Sequence, residues 1–468
     1  MPNVLQQIVA ETRKRVQAAE RRTPIDALRS RISGPARDFH AALARPRARF
    51  IFECKARSPS QGALCDDYDA VGLATAYQGA ADAISVLTDG PFFGGSVDDL
   101  RRVREQVSVP VLAKDFILGP YQVVEARQAG ADAVLLMASV LTDKELSACL
   151  EEVRRLEMHA LVEVHGSSEL DRVLRLPAPI VGINNRDLET LEVHPDTAVR
   201  LAPRVPLDRL VVAESGYRSR EQVDAAVPLV DAFLVGSALS ASVDPRGEAR
   251  ALAHGRVKVC GLRRPEDVES ARDAGAYFGG VIFAPASKRR VDKAQAALLS
   301  GRGLPLVAVV RNQPVDEVLE LCAELAPAAV QLHGDEDDAY VAALRERLSP
   351  AVEVWSVCGV DDQGGVVDRI ETADRTVFDR RTATEHGGAG RAFDWSTIEA
   401  RPDRTRALLA GGLRPENAAA ARAVGTWALD VATGVESEPG VKCRDRLEAF
   451  FLALRSVSRK EMSDARVE

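Results

Sequence analysis

No apolar run in this chain approaches the ~18–20 residues that span a bilayer, so a membrane-crossing helix is not expected. The opening segment, residues 1–22, is charged and amphipathic and lacks the apolar centre of a signal peptide. Cysteine is scarce and scattered: seven residues with no C-x-x-C spacing, which argues against a disulfide framework and against a zinc site. A reducing, cytoplasmic setting follows as the expectation, with no metal. Positive charge is not in excess either. The formal net charge of −8 disfavours nucleic acid as a partner, and any cations that meet an anionic ligand must be focused in clefts.

What is present is length and rhythm. At 468 residues the chain exceeds one ordinary core and suits two domains of ~200–250 residues, with the 46% hydrophobic and 28% charged content of a soluble globular protein. Val4, Leu5, Ile8 and Val9 recur at helical spacing; a helix packed on the outside or bottom of a domain is expected there, a lid over a site being the alternative. From residue 49 onward, short apolar runs alternate with helical patterns. The runs are 50–54, 83–87, 109–113, 133–137, 159–164, 180–183, 211–213 and 232–235. Such alternation predicts a parallel sheet, and eight units close it into a barrel. A second series follows at 257–260, 278–283, 306–310, 329–332, 352–357, 376–379, 407–410 and 428–431. The expected fold is therefore α/β, two fused (β/α)8 TIM barrels.

Each series ends on the same pattern. Strand 210–213 breaks into Glu214-Ser215-Gly216 and strand 232–235 into Gly236-Ser237; strand 407–410 breaks into Gly411-Gly412 and strand 428–431 into Ala432-Thr433-Gly434. Small residues let backbone N–H groups approach an anion, and consecutive turns of this kind hold a phosphate in the last two loops of such a barrel. Charged and polar groups stand at the ends of otherwise apolar strands: Glu53 and Lys55, Lys114, Glu163, Asn184, Glu214 and Ser215 in the first series. Lysines and carboxylates brought together out of water are placed for proton transfer to a bound anion. In the second series those groups are Cys260, Arg289, Gln331 with His333, Asp379 and Asp430.

The motifs Glu53-Cys54-Lys55, Ser58-Pro59-Ser60, Lys114-Asp115-Phe116, Glu163-Val164, Gly182-Ile183-Asn184-Asn185-Arg186-Asp187-Leu188, Glu214-Ser215-Gly216 and Gly236-Ser237 resemble indole-3-glycerol phosphate synthase over about residues 1–252. Gln61 departs from the lysine common there. The resemblance implies ring closure of a carboxyphenylamino-deoxyribulose phosphate with loss of CO2 and then water. Lys114 is then the acid and Glu163 the base. Lys55 holds the substrate carboxylate or acts as a second acid, and these roles are not separable. Glu53 orients the lysines. Asn184, Arg186, Glu214 and Ser215 position substrate, Phe93 and Phe116 wall the anthranilate ring, and Ser58, Gly216, Gly236 and Ser237 hold the phosphate. The electron-poor iminium that drives decarboxylation forms within the substrate, so no cofactor is implied.

The motifs Lys258-Val259-Cys260-Gly261-Leu262, Ser287-Lys288-Arg289, Gln331-Leu332-His333-Gly334, Phe378-Asp379, Gly387-Gly388-Ala389-Gly390, Phe393-Asp394-Trp395, Gly411-Gly412-Leu413 and Leu429-Asp430-Val431-Ala432-Thr433-Gly434-Val435-Glu436 resemble phosphoribosylanthranilate isomerase over about residues 256–455. Ala432-Thr433 replaces a commoner pair of serines, and Cys443 stands where an acidic residue usually follows Lys442. The reaction implied is an Amadori rearrangement, with Asp379 as acid and Cys260 as base, the latter a thiolate favoured by a nearby cation or strand-end dipoles. Arg289 contacts the anthranilate carboxylate; Gln331, His333 and Asp430 line the substrate; Gly411, Gly412, Thr433 and Gly434 hold the phosphate. The product of this half is the substrate of the first.

Domains are thus expected at 1–254 and 255–455, with a disordered tail at 456–468, in a monomer whose partners are small phosphorylated anthranilates. The alternatives are a barrel pair acting on other sugar phosphates, or one with a non-catalytic half.

Overall fold

The computed structural model describes residues 3–59, 62–64, 67–361, 365–367, 370–380 and 393–464; Ser60, Gln61, Cys65 and the 387–390 glycine motif lie outside these. The chain divides into two compact units, Met1–Ala253 with Ser456–Glu468, and His254–Arg455.

In the first unit eight parallel strands form a closed barrel: β1 Arg49–Cys54, β2 Ala83–Leu87, β3 Val111–Lys114, β4 Ala133–Met137, β5 His159–Val164, β6 Ile180–Asn184, β7 Leu210–Glu214 and β8 Ala232–Val235. Closure comes from β1, which pairs with both β2 and β8. Covered on both faces, these strands are apolar almost throughout. Alternation sorts their residues. Phe50, Phe52, Val86, Val134 and Val162 pack outward into the layer of helices, while Ile51, Leu112, Leu135, Leu161, Val212 and Leu234 fill the barrel interior. Two residues further along the inner row come Glu53, Lys114, Glu163 and Glu214, and two beyond Ile180 and Gly182 comes Asn184. The period of two thereby sets the charged groups in the last inner layer, at the C-terminal mouth.

The second unit repeats this with β9 Arg256–Cys260, β10 Phe278–Ile282, β11 Leu306–Val310, β12 Ala329–Leu332, β13 Glu353–Val360, β14 Arg375–Arg380, β15 Leu408–Leu409 and β16 Ala428–Val431. Pairing of β12 with β13 closes the ring, and Val366–Val367 adds an antiparallel bridge to β13. Phe278, Val307, Ala329, Trp355, Val377, Leu408 and Ala428 fill this interior. The next inner layer carries Gln331, Asp379 and Asp430, and Cys260 stands above Lys258.

Two expectations are corrected. The opening helix, Val4–Arg22, starts from an Asn3–Gln6 capping box and lays Val4, Leu5 and Ile8 over the mouth of the first barrel, where they line its cavity. It is a cover, not a packing element on the outside or bottom. Arg15 ties it down through Nη2, 2.9 Å from each carboxylate oxygen of Asp115, the residue after Lys114.

The tail is ordered through its described part and returns to the first unit. Ala48 N–H donates to Ser456 O at 2.9 Å, Arg459 donates to Val205 O, and Lys460 N–H donates to Asp231 at 3.2 Å. Arg459–Asp464 is helical, and Ser458 is 3% exposed. Polar composition alone reads as disorder; what orders the segment is the set of partners beside the N-terminal ends of β1 and β8. Truncation after Arg455 is expected to destabilise the first unit by ~1–3 kcal/mol, the cost of stranding several buried polar groups. Limited proteolysis at rising temperature checks this, since only the first unit should become more sensitive.

Candidate active sites

At the first mouth lies a cavity of about 310 Å³. Its lining includes Glu53, Lys55, Ser58, Phe93, Lys114, Phe116, Glu163, Asn184, Arg186, Ser215, Gly216, Gly236 and Ser237. Glu214 stands behind Lys114. The Lys114 Nζ is 2.7 Å from Glu214 Oε2, 3.7 Å from Glu163 Oε2 and 3.9 Å from Glu53 Oε2, and Lys55 Nζ is 2.7 Å from Glu53 Oε1. Burial would discharge Lys114, but the three carboxylates overcome it and raise its pKa. Burial likewise pushes Glu53 up, and the two lysines more than reverse it. Glu163 and Glu214 are driven apart. Burial with the neighbouring charge of Glu163 raises Glu214 despite Lys114, whereas Glu163 is lowered, burial being outweighed by His165 and Lys114. A pair of carboxylates split in this way supplies one ionised and one protonated member near neutral pH.

Two glycines make room for these carboxylates. A Cβ on Gly182 would lie 2.2 Å from Glu214 Oε1, and one on Gly236 would lie 2.3 Å from Glu53 Oε1. One side of the cavity is apolar: Phe93 and Phe116 stand 5.9 Å apart between ring centroids, among Val4, Leu5, Ile8 and Leu188. The loop after β6 is fixed by its own polar groups. Asn184 Oδ1 accepts from Arg186 N–H at 2.9 Å, and Arg186 Nη1 donates to Leu191 O at 2.7 Å.

The expected phosphate turns share one backbone in both units. After β7, Ser215 and Gly216 have φ of 64° and 90°; after β15, Gly411 and Gly412 have 81° and 68°. After β8, Gly236 sits at φ −128°, ψ −76°, and after β16 Ala432 sits at φ −130°, ψ −81°. Ser237 and Thr433 each open a short helical turn just beyond. Gly434 lies in the second of these turns.

In the second unit the mouth is built around a buried lysine. Lys258 Nζ is 2.7 Å from Asp430 Oδ2, and Cys260 Sγ lies close enough to Gly280 that a Cβ there would be 2.7 Å from it. Burial raises the Cys260 thiol, with Asp430 adding to the shift and Lys258 and Lys442 opposing it. The cations expected beside the thiol are present, yet burial outweighs them, so Cys260 rests as a thiol. Asp379 is pushed up to about 6 by burial and by Asp430, and Gly411 lies against it. Gln331 and His333 face each other at 3.4 Å. Arg289 is held by Glu436 through paired contacts of 2.9 and 2.7 Å, so its guanidinium has a resident carboxylate. Lys442 ties this group together: it donates to Glu436 at 2.8 Å and to Cys260 O at 2.6 Å.

His165, Lys258, Lys442 and Glu436 carry geometry that single-residue reading passes over. For Lys258 a signal existed, since a lysine inside an apolar strand must have a buried partner.

Sequence comparison agrees with this division. The family model for indole-3-glycerol phosphate synthase matches residues 5–252, and that for N-(5'-phosphoribosyl)anthranilate (PRA) isomerase matches residues 257–453. The tryptophan biosynthesis protein TrpCF of Salmonella typhi is 41% identical over 97% of this chain and 100% of its own length. The TrpCF of Vibrio parahaemolyticus is 42% identical over 97% of this chain and 95% of its own. With one closed barrel for each matched half, the chain belongs to the TrpCF family of bifunctional tryptophan-biosynthesis enzymes, an indole-3-glycerol phosphate synthase in its N-terminal half and a phosphoribosylanthranilate isomerase in its C-terminal half.

Proposed function

We propose that the groups at the two mouths divide the chemistry as follows. In the synthase, the anilino ring carbon attacks the ketone of the carboxyphenylamino-deoxyribulose phosphate, and Lys114 protonates the oxygen as it gains charge. A ketone-derived alkoxide is more basic than an amine, so even a lysine with a raised pKa transfers its proton at that stage. Loss of CO2 from the resulting iminium neutralises the ring, and Glu163 assists departure of water by taking the ring proton. Lys55, paired with Glu53, meets the substrate carboxylate or serves as the second acid. Phe93 and Phe116 wall the ring, Asn184, Arg186 and Glu214 position the chain, and Ser58, Ser215, Gly216, Gly236 and Ser237 take the phosphate. The observation that carries this reading is Lys114 within 4 Å of three carboxylates at the rim of one cavity.

In the isomerase, Asp379 protonates the ribose ring oxygen and Cys260 takes the proton from the neighbouring carbon, leaving an enol that becomes the amino-ketose. Gly411, Gly412, Thr433 and Gly434 take the phosphate, with Gln331, His333 and Asp430 against the sugar. Arg289 meets the anthranilate carboxylate only by exchanging its bond to Glu436. Neither reaction needs a cofactor or metal. We place the enzyme in the cytoplasm as a monomer acting on small phosphorylated anthranilates; its net charge of −8 argues against nucleic acid.

The isomerase reading has a pH signature. The reactive form has Cys260 ionised and Asp379 protonated, the minor arrangement because the thiol pKa lies above that of the carboxyl. Below about 6, Asp379 is already protonated and further acid only removes thiolate, so kcat/KM falls. Between the two pKa values the gain in thiolate cancels the loss of acid, and the rate is flat. Above the thiol pKa it falls again. A pH profile of isomerase kcat/KM checks this: Asp379→Asn should lose most of the rate, and what remains should rise with pH up to the thiol pKa, with neither the plateau nor the fall beyond it.

A further inference from the structure

One half-buried group near the synthase site has no part in the chemistry above. His165 follows β5 two residues after Glu163, and its ring spans two carboxylates. Nε2 is 3.1 Å from Glu163 Oε1, and Nδ1 is 3.3 Å from Glu169 Oε2. Glu169 also accepts the His165 backbone N–H at 2.7 Å, from the first turn of the helix Ser167–Val173. Glu169 therefore holds the residue at Nδ1 and at its backbone, while Nε2 faces Glu163 as a close ionic contact. Its side chain is only 15% exposed, so its interaction with Glu163 is little screened by solvent.

We propose that His165 is a positioning residue for the synthase reaction: held in place by Glu169, it assigns the negative charge of the buried Glu163/Glu214 pair to Glu163. The inference rests on the reading of Glu163 as the base. The surroundings of Glu163 are Lys114 from β3, Glu53 from β1, Asn184 from β6, Glu214 from β7 and His165 from its own strand end. Lys114 touches both members of the pair and lies nearer Glu214, so by distance alone it would ionise Glu214 first. His165 touches Glu163 alone and reverses that preference. Around His165 stand Glu163, Glu169 and, more distantly, Asp187; Glu163 and Glu169 outweigh burial and raise its pKa to about 10, so it is a cation at neutral pH. With Glu163 ionised, Glu214 keeps the proton, and the pair is set for one carboxylate to accept while the other donates.

The test is the pH profile of synthase kcat/KM for three single variants in the full-length chain. His165→Gln keeps the approximate volume and a donor but not the charge. Glu163 should then titrate higher, and because its base form is lost as pH falls through its pKa, the acid limb should move up by ~1–2 pH units, a ~10–100-fold loss at a pH between the old limb and the new. Above the new limb the wild-type rate should return, which also shows the barrel to be folded. Glu169→Gln should leave the acid limb in place, because His165 still takes up its proton at higher pH than Glu163 does. A purely structural role for the loop predicts losses equal at every pH, or the same change in both variants, and either result overturns the proposal. Glu163→Gln separates the two claims. If it keeps the wild-type rate, the base reading itself fails; if it is inactive while His165→Gln leaves the limb unmoved, only the role of His165 fails.

Discussion

Replacement of Lys114 by methionine is expected to lower synthase turnover by ~10²–10⁴-fold while isomerase turnover keeps its original value. Methionine matches the length of the lysine stem and carries no charge. The Lys114 ammonium group lies within 4 Å of Glu53, Glu163 and Glu214, so the substitution removes more than a proton donor. With Glu214 already protonated, Glu53 and Glu163 are left to Lys55 and His165, and their buried charges are less well compensated. Turnover therefore fails both for want of an acid and because the carboxylates lose the charge pattern that Lys114 maintains. Lys114→Arg should restore the charge but not the rate, since a guanidinium does not give up its proton and its fork does not fit a site built around a point charge. Assays of both reactions on one preparation check this. A parallel loss in the isomerase would point to unfolding.

Cys260→Ser is expected to cut isomerase turnover by a comparable ~10²–10⁴-fold, with the synthase spared. A serine hydroxyl stays protonated where a thiol beside Lys258 can ionise during the reaction. The thiol differs from the reactive thiolate that its strand-end position suggested. Burial raises its pKa, so alkylation should be slow at neutral pH and quicken as pH rises, and an isomerase substrate analogue should protect against it. Cys54, Cys149, Cys322 and Cys358 are buried away from the reaction and serve as internal controls, with the half-buried Cys443 as the reference for simple accessibility. Peptide mapping decides it: inactivation that leaves Cys260 unmodified would remove the thiol from the mechanism.

Much of this was legible in the chain because barrel strands obey a short rule. A fully apolar run with a charge at its end can only be a covered strand reaching a mouth, and the period of two then puts Glu53, Lys114, Glu163 and Glu214 on one inner rim. The small-residue turns proposed to take the phosphates were visible for a similar reason, since they follow the seventh and eighth strands in both halves, with similar backbone angles. What escaped depends on partners far away in sequence. The segment from Ser456 is polar and reads as disorder, and only the neighbours of β1 and β8 reveal why it folds. The helix Val4–Arg22 has an ordinary amphipathic pattern, and nothing local states that its first turns close a cavity. A lone histidine beyond a strand is commonly a satisfied polar group; the meaning of His165 comes from Glu163, which it faces, with Glu169 on the next helix holding it there. Arg289 was assigned to a substrate carboxylate, and the protein supplies one of its own in Glu436.

The account claims two separate sites working in series, and one measurement tests it most directly: product analysis of Lys114→Met and Cys260→Ser, each alone and then mixed, with phosphoribosylanthranilate as the only substrate. The first variant should convert it to the amino-ketose and stop there; the second should leave it untouched. The mixture should form indole-3-glycerol phosphate, since the intermediate made by one chain is cyclised by the other. A mixture that forms none although each variant keeps its remaining activity, or a single variant that fails at both steps, would contradict it.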